Sequence, residues 1–327
     1  MSWPRDVARW LWAVLLMFTG SIYVARRKLR QQHAIVVLAL HRVLDDDDWL
    51  HTHSLPGMVM RRRTFERLAA FVTRRFDVVS LQTLTPGDDP GRQRIAFTFD
   101  DGWIDTYALL TTTRRLNIPI TVFVCPGLVG RIAPFWPEQF AELAKDAFPS
   151  LQHDDMEDVI NRLKLCPEDI RQKAIAVLGT LAGRDLECDT PDLTMSWNQI
   201  KELNASGAAI GSHTNTHQIL TTVPENVARD EILISKDHLE LMLARACCEF
   251  AYPNGNHSAS LRKILAEAGT EHAFTTDLGA WLPDSDPLAI PRVNLAEAEV
   301  TGPAGRFSAA MFEYTAFWKV YRASCKG

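Results

Sequence analysis

In Ile95-Ala96-Phe97-Thr98-Phe99-Asp100-Asp101-Gly102, a run of apolar and β-branched residues ends abruptly in two carboxylates and a glycine. The pattern predicts a buried strand that delivers acids to the carboxyl edge of a sheet, where α/β enzymes carry their chemistry. Adjacent carboxylates repel, so the pair calls for a metal cation or a shared proton. Ligands for a cation stand at Ser212-His213-Thr214-Asn215-Thr216-His217, where two imidazoles are four residues apart. Residues i and i+4 share a face of one helical turn, so a helical turn is expected there.

Working outward, Ala34 to Leu40 reads as an earlier buried strand ending at His41-Arg42-Val43. The acidic turn from Asp45 and the stretch to Pro56 read as loop, Thr64 to Arg75 as helix, and Phe76 to Leu81 as the next strand. A Pro/Gly/Asp loop then enters the Asp100 strand. Beyond it, a helix is expected over Trp103 to Leu116 and a strand over Ile120 to Cys125. Strand, helix, strand favours parallel pairing with right-handed crossovers. The rhythm breaks over about 135–192, read as a helical insertion placed where a lid would sit. It resumes with a helix from Trp197, a strand over Ala208 to Gly211, a long helix over Pro224 to Ala244, and a strand end at Phe250-Ala251-Tyr252-Pro253-Asn254-Gly255. A helix over Ala259 to Ala268, a strand over His272 to Thr276 and a last strand at Ile290-Pro291-Arg292-Val293 complete the series.

The bulk properties set limits. A chain of 327 residues, 46% hydrophobic, can bury a large core, and a formal charge of −5 leaves no basic excess for phosphate contacts, which argues against nucleic acid as a partner. Six scattered cysteines without a C-x-x-C pair read as free thiols in a reducing compartment. Trp10 to Ala25 carries no charge and is followed by Arg26-Arg27-Lys28-Leu29-Arg30. Sixteen residues at ~1.5 Å each span about 24 Å, short of a ~30 Å hydrocarbon core. The expectation is a membrane-surface or short anchor helix, with a signal peptide second, and with a helix packed on the domain through Trp10, Leu11, Val14, Leu15 and Phe18 as the bland alternative. The basic cluster places the protein in the cytoplasm, at the inner face of the plasma membrane, rather than outside the cell.

Two motifs carry a resemblance. Thr98-Phe99-Asp100-Asp101-Gly102 and His213-Thr214-Asn215-Thr216-His217 are similar, without a mismatch, to the first and second motifs of the polysaccharide deacetylases of carbohydrate esterase family four. Phe-Ala-Tyr-Pro-x-Gly at 250–255 resembles the third-motif variant found among exopolysaccharide and glycan biosynthesis enzymes. The likeness extends over most of residues 34–295 and implies an α/β fold, a distorted (β/α) barrel of seven or eight strands. The expected organisation is an apolar/basic helix over 1–33, a catalytic domain over 34–300 and an aromatic-rich tail over 301–327.

Carried onto this chain, the resemblance makes Asp100 the general base and Asp101, His213 and His217 the ligands of a divalent metal, zinc or another transition metal. Three protein ligands leave positions open for water and a substrate carbonyl. The backbone N–H of Tyr252 and the neighbouring Asn254 are the expected oxyanion and substrate contacts. Two departures stand out. No late Leu-x-His follows Arg292, so His41, on the first strand of a closed barrel, is the substitute acid; a histidine merely hydrogen-bonded at a strand end is the alternative. The third-motif arginine is absent, and Arg292 is either its replacement beside Asp100 or an ordinary surface ion pair. His257 and Asp277 lie in loops near the active face, and Trp281 either stacks on a sugar or packs in the core. The expected activity is metal-dependent hydrolysis of an N-acetyl group on an amino sugar in a glycan, polysaccharide or lipid-linked precursor. An amidohydrolase acting on a small non-sugar amide or imide, and a non-catalytic carbohydrate-binding relative, are the alternatives.

Overall fold

Ile35–Leu40 and Arg94–Phe99 are buried at every position. Strands with no solvent-facing side must be covered on both faces, as in a parallel barrel wrapped by helices. The computed structural model describes residues 3–82, 91–130, 135–151, 153–184 and 193–325. In chain order the strands are β1 (Ile35–Leu40), β2 (Arg42–Leu44), β3 (Val59–Arg61), β4 (Asp77–Val78), β5 (Arg94–Phe99), β6 (Ile120–Val124), β7 (Ala209–Ser212), β8 (Glu249–Ala251), β9 (His272–Leu278) and β10 (Ile290–Asn294). Seven of them close a ring, β1-β10-β9-β8-β7-β6-β5 and back to β1, and every neighbouring pair is parallel. β4 adds two residues beside the start of β5, on the edge that β6 takes further along. β2 and β3 form a separate two-stranded ribbon.

Several expected elements differ. The stretch read as loop from Asp45 to Pro56 holds a short helix, Asp46–His51. The strand read over Phe76 to Leu81 shrinks to Asp77–Val78. The helix read over Trp103 to Leu116 is two pieces, Ile104–Ala108 and Leu110–Leu116. Thr113 Oγ1 donates back to Leu109 O at 3.2 Å and Leu110 O at 3.1 Å, and such back-bonding bends helices. The amino-terminal apolar run is also two helices, α1 (Trp3–Phe18) and α2 (Ser21–Gln31), bent by 70° at Gly20, whose φ of 76° suits glycine.

α1 packs through Ala13 on Ala310 and Met311, while α2 buries Ile22, Ala25 and Leu29 and lies along the π-helical turn Tyr314–Lys319. Arg26 donates to Glu313 at 2.8 Å across this contact. Phe312 and Phe317 continue inward and meet Phe76 in the main core. The stretch read as an insertion contains the helices Trp136–Ala147, His153–Leu163 and Glu168–Ala182 around their own core of Phe140, Leu143, Ile160 and Ile175. Its end at 185–192, with Cys188, and most of the Pro/Gly/Asp loop lie outside the described residues. Among the described residues no single helix is long and apolar enough to cross a membrane.

Candidate active site

Beyond Phe99 the backbone extends the ladder by one bond, Asp100 N–H to Leu40 O at 2.9 Å, and then turns. Asp101 has φ 72° and Gly102 φ 77°. The adjacent carboxylates each find their own compensation. For Asp101 the left-handed conformation costs about 1–2 kcal/mol, met by the contacts that hold its side chain.

Asp100 pairs with Arg292. Nη1 and Nη2 each donate to one carboxylate oxygen at 2.7 Å, and both residues are buried. Arg292 also donates to Thr275 O at 2.9 Å and Thr98 Oγ1 at 3.1 Å, and lies over the Phe123 ring. Of the two readings of Arg292, the buried bidentate pair is the one present. Burial alone pushes the Asp100 carboxyl up, but the Arg292 charge and hydrogen bonds outweigh it, and the group sits below its usual range.

Asp101 faces the histidines. Its Oδ1 is 3.3 Å from Nε2 of His213 and 3.3 Å from Nε2 of His217, yet forms no well-shaped hydrogen bond with either. Three donors converge without satisfying one another, which is the arrangement a shared cation needs. Their potential ligand atoms lie within 4.8 Å of each other. The other carboxylate oxygen accepts from the buried Trp103 indole at 3.0 Å, and His213 Nδ1 donates to Ala251 O at 2.7 Å. These outer contacts fix the ligands' orientation and the His213 tautomer that presents Nε2. The donor set therefore fits a divalent metal such as zinc.

The two histidines do not share a helical turn. His213 follows β7, and the chain then loops with left-handed φ at Thr214 (64°) and His217 (62°). Glu231 on the following helix pins the loop, accepting from Thr216 N at 2.8 Å and Thr216 Oγ1 at 2.7 Å. Gly127 pins the other side, donating to Asn215 O at 2.9 Å where an added Cβ would lie 2.7 Å from that oxygen. Tertiary contacts thus replace the expected helix.

His41 lies at the end of β1 with Nε2 3.8 Å from Asp100 Oδ2, and its buried Nδ1 lacks a partner. Burial lowers its pKa, opposed by the two nearby aspartates, and the net shift is downward. Tyr252 is placed differently from expectation. Its N–H donates to Phe274 O at 3.0 Å within the sheet, and its hydroxyl to Leu288 O at 2.8 Å, so neither points at the site. Strand pairing has claimed the donor that an oxyanion would need. Asn254 does line the cleft, with φ 57° and Nδ2 donating to Asn256 Oδ1 at 2.6 Å. Trp281 is buried in the core against Phe274, and His257 pairs with Asp277 at 3.6 Å away from the cleft lining.

The cleft has a second wall, built by the insertion that the sequence reading gives as a possible lid without singling out its residues. Phe135, Trp136, Pro137, Glu138 and Lys164 come from the insertion, joined by Leu55 and Met58. Phe135 stands edge-on to the His217 ring, 5.0 Å between centroids. Glu138 accepts from Ser54 Oγ at 3.0 Å, Ser54 accepts from Arg42 at 3.1 Å, and Arg42 donates to Asp105 at 2.9 Å while covering Trp103.

A barrel with an Asp-His-His triad and an arginine-paired aspartate at its carboxyl rim defines a hydrolase scaffold, and comparison agrees. The polysaccharide deacetylase family model matches residues 87–273, more than half of the sequence. The chain belongs to that family, and the match supports a hydrolase acting on carbon–nitrogen bonds. No curated protein matches the sequence significantly. Among solved structures, the Streptococcus pyogenes deacetylase PplD, in complex with acetate, is similar at TM-score 0.56 and 16% identity, covering 83% of this chain and 96% of that one. IcaB from Ammonifex degensii gives 0.53 and 21%, covering 80% and 92%. The Bacillus cereus polysaccharide deacetylase BC0361 gives 0.57 and 16%, covering 85% and 69%. At these identities the likeness is one of fold.

Proposed function

We propose that this protein removes the N-acetyl group from an amino sugar in a glycan, polysaccharide or lipid-linked precursor, with a divalent metal, zinc by preference of the donor set, held by Asp101, His213 and His217. The observation that carries the proposal is the convergence of those three residues with the Asp100–Arg292 pair on one cleft at the carboxyl ends of the barrel strands. A bound cation there would supply Lewis acidity toward water and the acetamide carbonyl.

The chain's own residues do the proton work. Asp100, held ionised by Arg292, accepts the proton of the attacking water at a carboxylate oxygen. His41, 3.8 Å from that carboxylate, passes a proton to the departing nitrogen as the acyl C–N bond breaks. Acetate and a free amine result, and one water is consumed. Trp136 and Phe135 keep bulk water from one side of the cleft. A reducing, cytoplasmic setting belongs to the proposal, supported by free thiols at Cys125, Cys166, Cys247, Cys248 and Cys325.

The direct test is acetate release from a panel of N-acetylated sugars and oligosaccharides by metal-reconstituted protein, with Asp100→Asn as control. Release that requires Asp100 is the expected result. No release from any sugar by protein with stoichiometric metal would remove the sugar substrate and leave the non-sugar amide.

A further inference from the structure

α1 is apolar on both sides, and the fold uses only one. Ala13 and Leu16 are buried, with Trp10, Val14 and Met17 turned toward the carboxyl-terminal helix. The opposite arc leaves Leu11 (54%), Trp12 (49%), Leu15 (50%) and Phe18 (86%) exposed. The stripe read from sequence as one face is therefore split between the two sides. Past the Gly20 bend, α2 exposes Tyr23 (58%) and Val24 (52%) as well. A run of large apolar side chains this exposed is uncommon on a soluble surface and marks an interaction site.

Charge indicates the partner. At 100° per residue, Arg27 falls between Tyr23 and Val24 on the exposed arc of α2, with Lys28 at its margin, and Arg5 borders the α1 stripe; all three are solvent-exposed. Arg9 and Arg26 are held in internal contacts, Arg9 with Ala298 O and Arg26 with Glu313. An apolar stripe edged by free cations is the pattern of a helix lying in the interface of an anionic bilayer. Crossing the bilayer instead would mean straightening the 70° bend and pulling Ile22, Ala25 and Leu29 out of the core. α2 is also tied directly to the barrel, since Ala34 N–H donates to Leu29 O one residue before β1.

We infer that the bent α1–α2 pair is a docking surface for an anionic membrane, meeting it through Leu11, Trp12, Leu15 and Phe18 of α1 and Tyr23 and Val24 of α2, with Arg27 and Lys28 on the headgroups. Arg9 and Trp10 tie α1 to Ala298 and Gly302, four and eight residues past the cleft-lining Asn294. The inference stands whatever the cleft hydrolyses.

Flotation of the full chain with vesicles of phosphatidylcholine, with or without phosphatidylglycerol, tests it. The expected result is flotation with the anionic vesicles and release by alkaline carbonate. Leu15→Asp/Phe18→Asp should lower the bound fraction about tenfold or more with an unchanged melting temperature, since both side chains are exposed. Arg27→Glu/Lys28→Glu should weaken binding at low salt and less so at high salt. No flotation, or undiminished flotation of the Leu15/Phe18 variant, overturns the inference. So does retention after carbonate, which would show a span, and so does a dimer in light scattering that this variant turns into a monomer, which would assign the stripe to a second copy.

Discussion

The two walls of the cleft are built by different means. The barrel wall carries His41, Asp100, Asp101 and His213 at or just past strand ends, where buried partners hold the side chains of Asp100, Asp101 and His213. The insertion wall carries Phe135, Trp136, Glu138 and Lys164 on or beside helices with a core of their own. Groups that move protons need positions fixed to fractions of an ångström, which a closed parallel barrel supplies. Groups that select a substrate need only shape and polarity. Under the proposed function, chemistry falls to the first wall and recognition to the second.

Substitutions on the two walls should therefore fail differently. Asp100→Asn on the barrel wall should lower kcat roughly 10²–10⁴-fold with bound metal, measured by elemental analysis, unchanged. Arg292→Met leaves the Asp100 charge buried and unpaired. It should lower the unfolding free energy by about 3–5 kcal/mol in denaturant titration, besides reducing turnover. His41→Ala should reduce turnover roughly 10²-fold at normal metal content and alter the basic limb of the pH profile; normal turnover would leave His41 a structural residue. On the other wall, Trp136→Ala should raise KM about three- to tenfold and leave kcat within about twofold. If Trp136→Ala cut kcat as deeply as His41→Ala, the division between the walls would not hold.

The barrel was legible because a closed parallel sheet buries both faces of each strand, which leaves apolar runs such as Ile35–Leu40 and Ile120–Val124 standing out between helices. The members of the Asp101, His213 and His217 cluster were legible because side-chain chemistry, not conformation, marks them. The path that brings them together was not. His213 and His217 meet through a loop held by Glu231 and Gly127, both far from the motif's own pattern. The oxyanion assignment to Tyr252 failed for a related reason: whether a backbone N–H is available depends on the strand beside it.

The same division runs through the amino terminus. Residue order alone established an apolar segment too short to span comfortably, followed by cations. Only the folded chain decided that Gly20 bends it, that Ala13 and Leu16 face inward, and that Leu11, Leu15 and Phe18 face out. Periodicity reports how apolar residues are spaced, and it is silent on which side a helix turns to a partner when both sides are apolar. That choice, like the pairing of Asp100 with an arginine 192 residues away, is made by packing between distant parts of the chain.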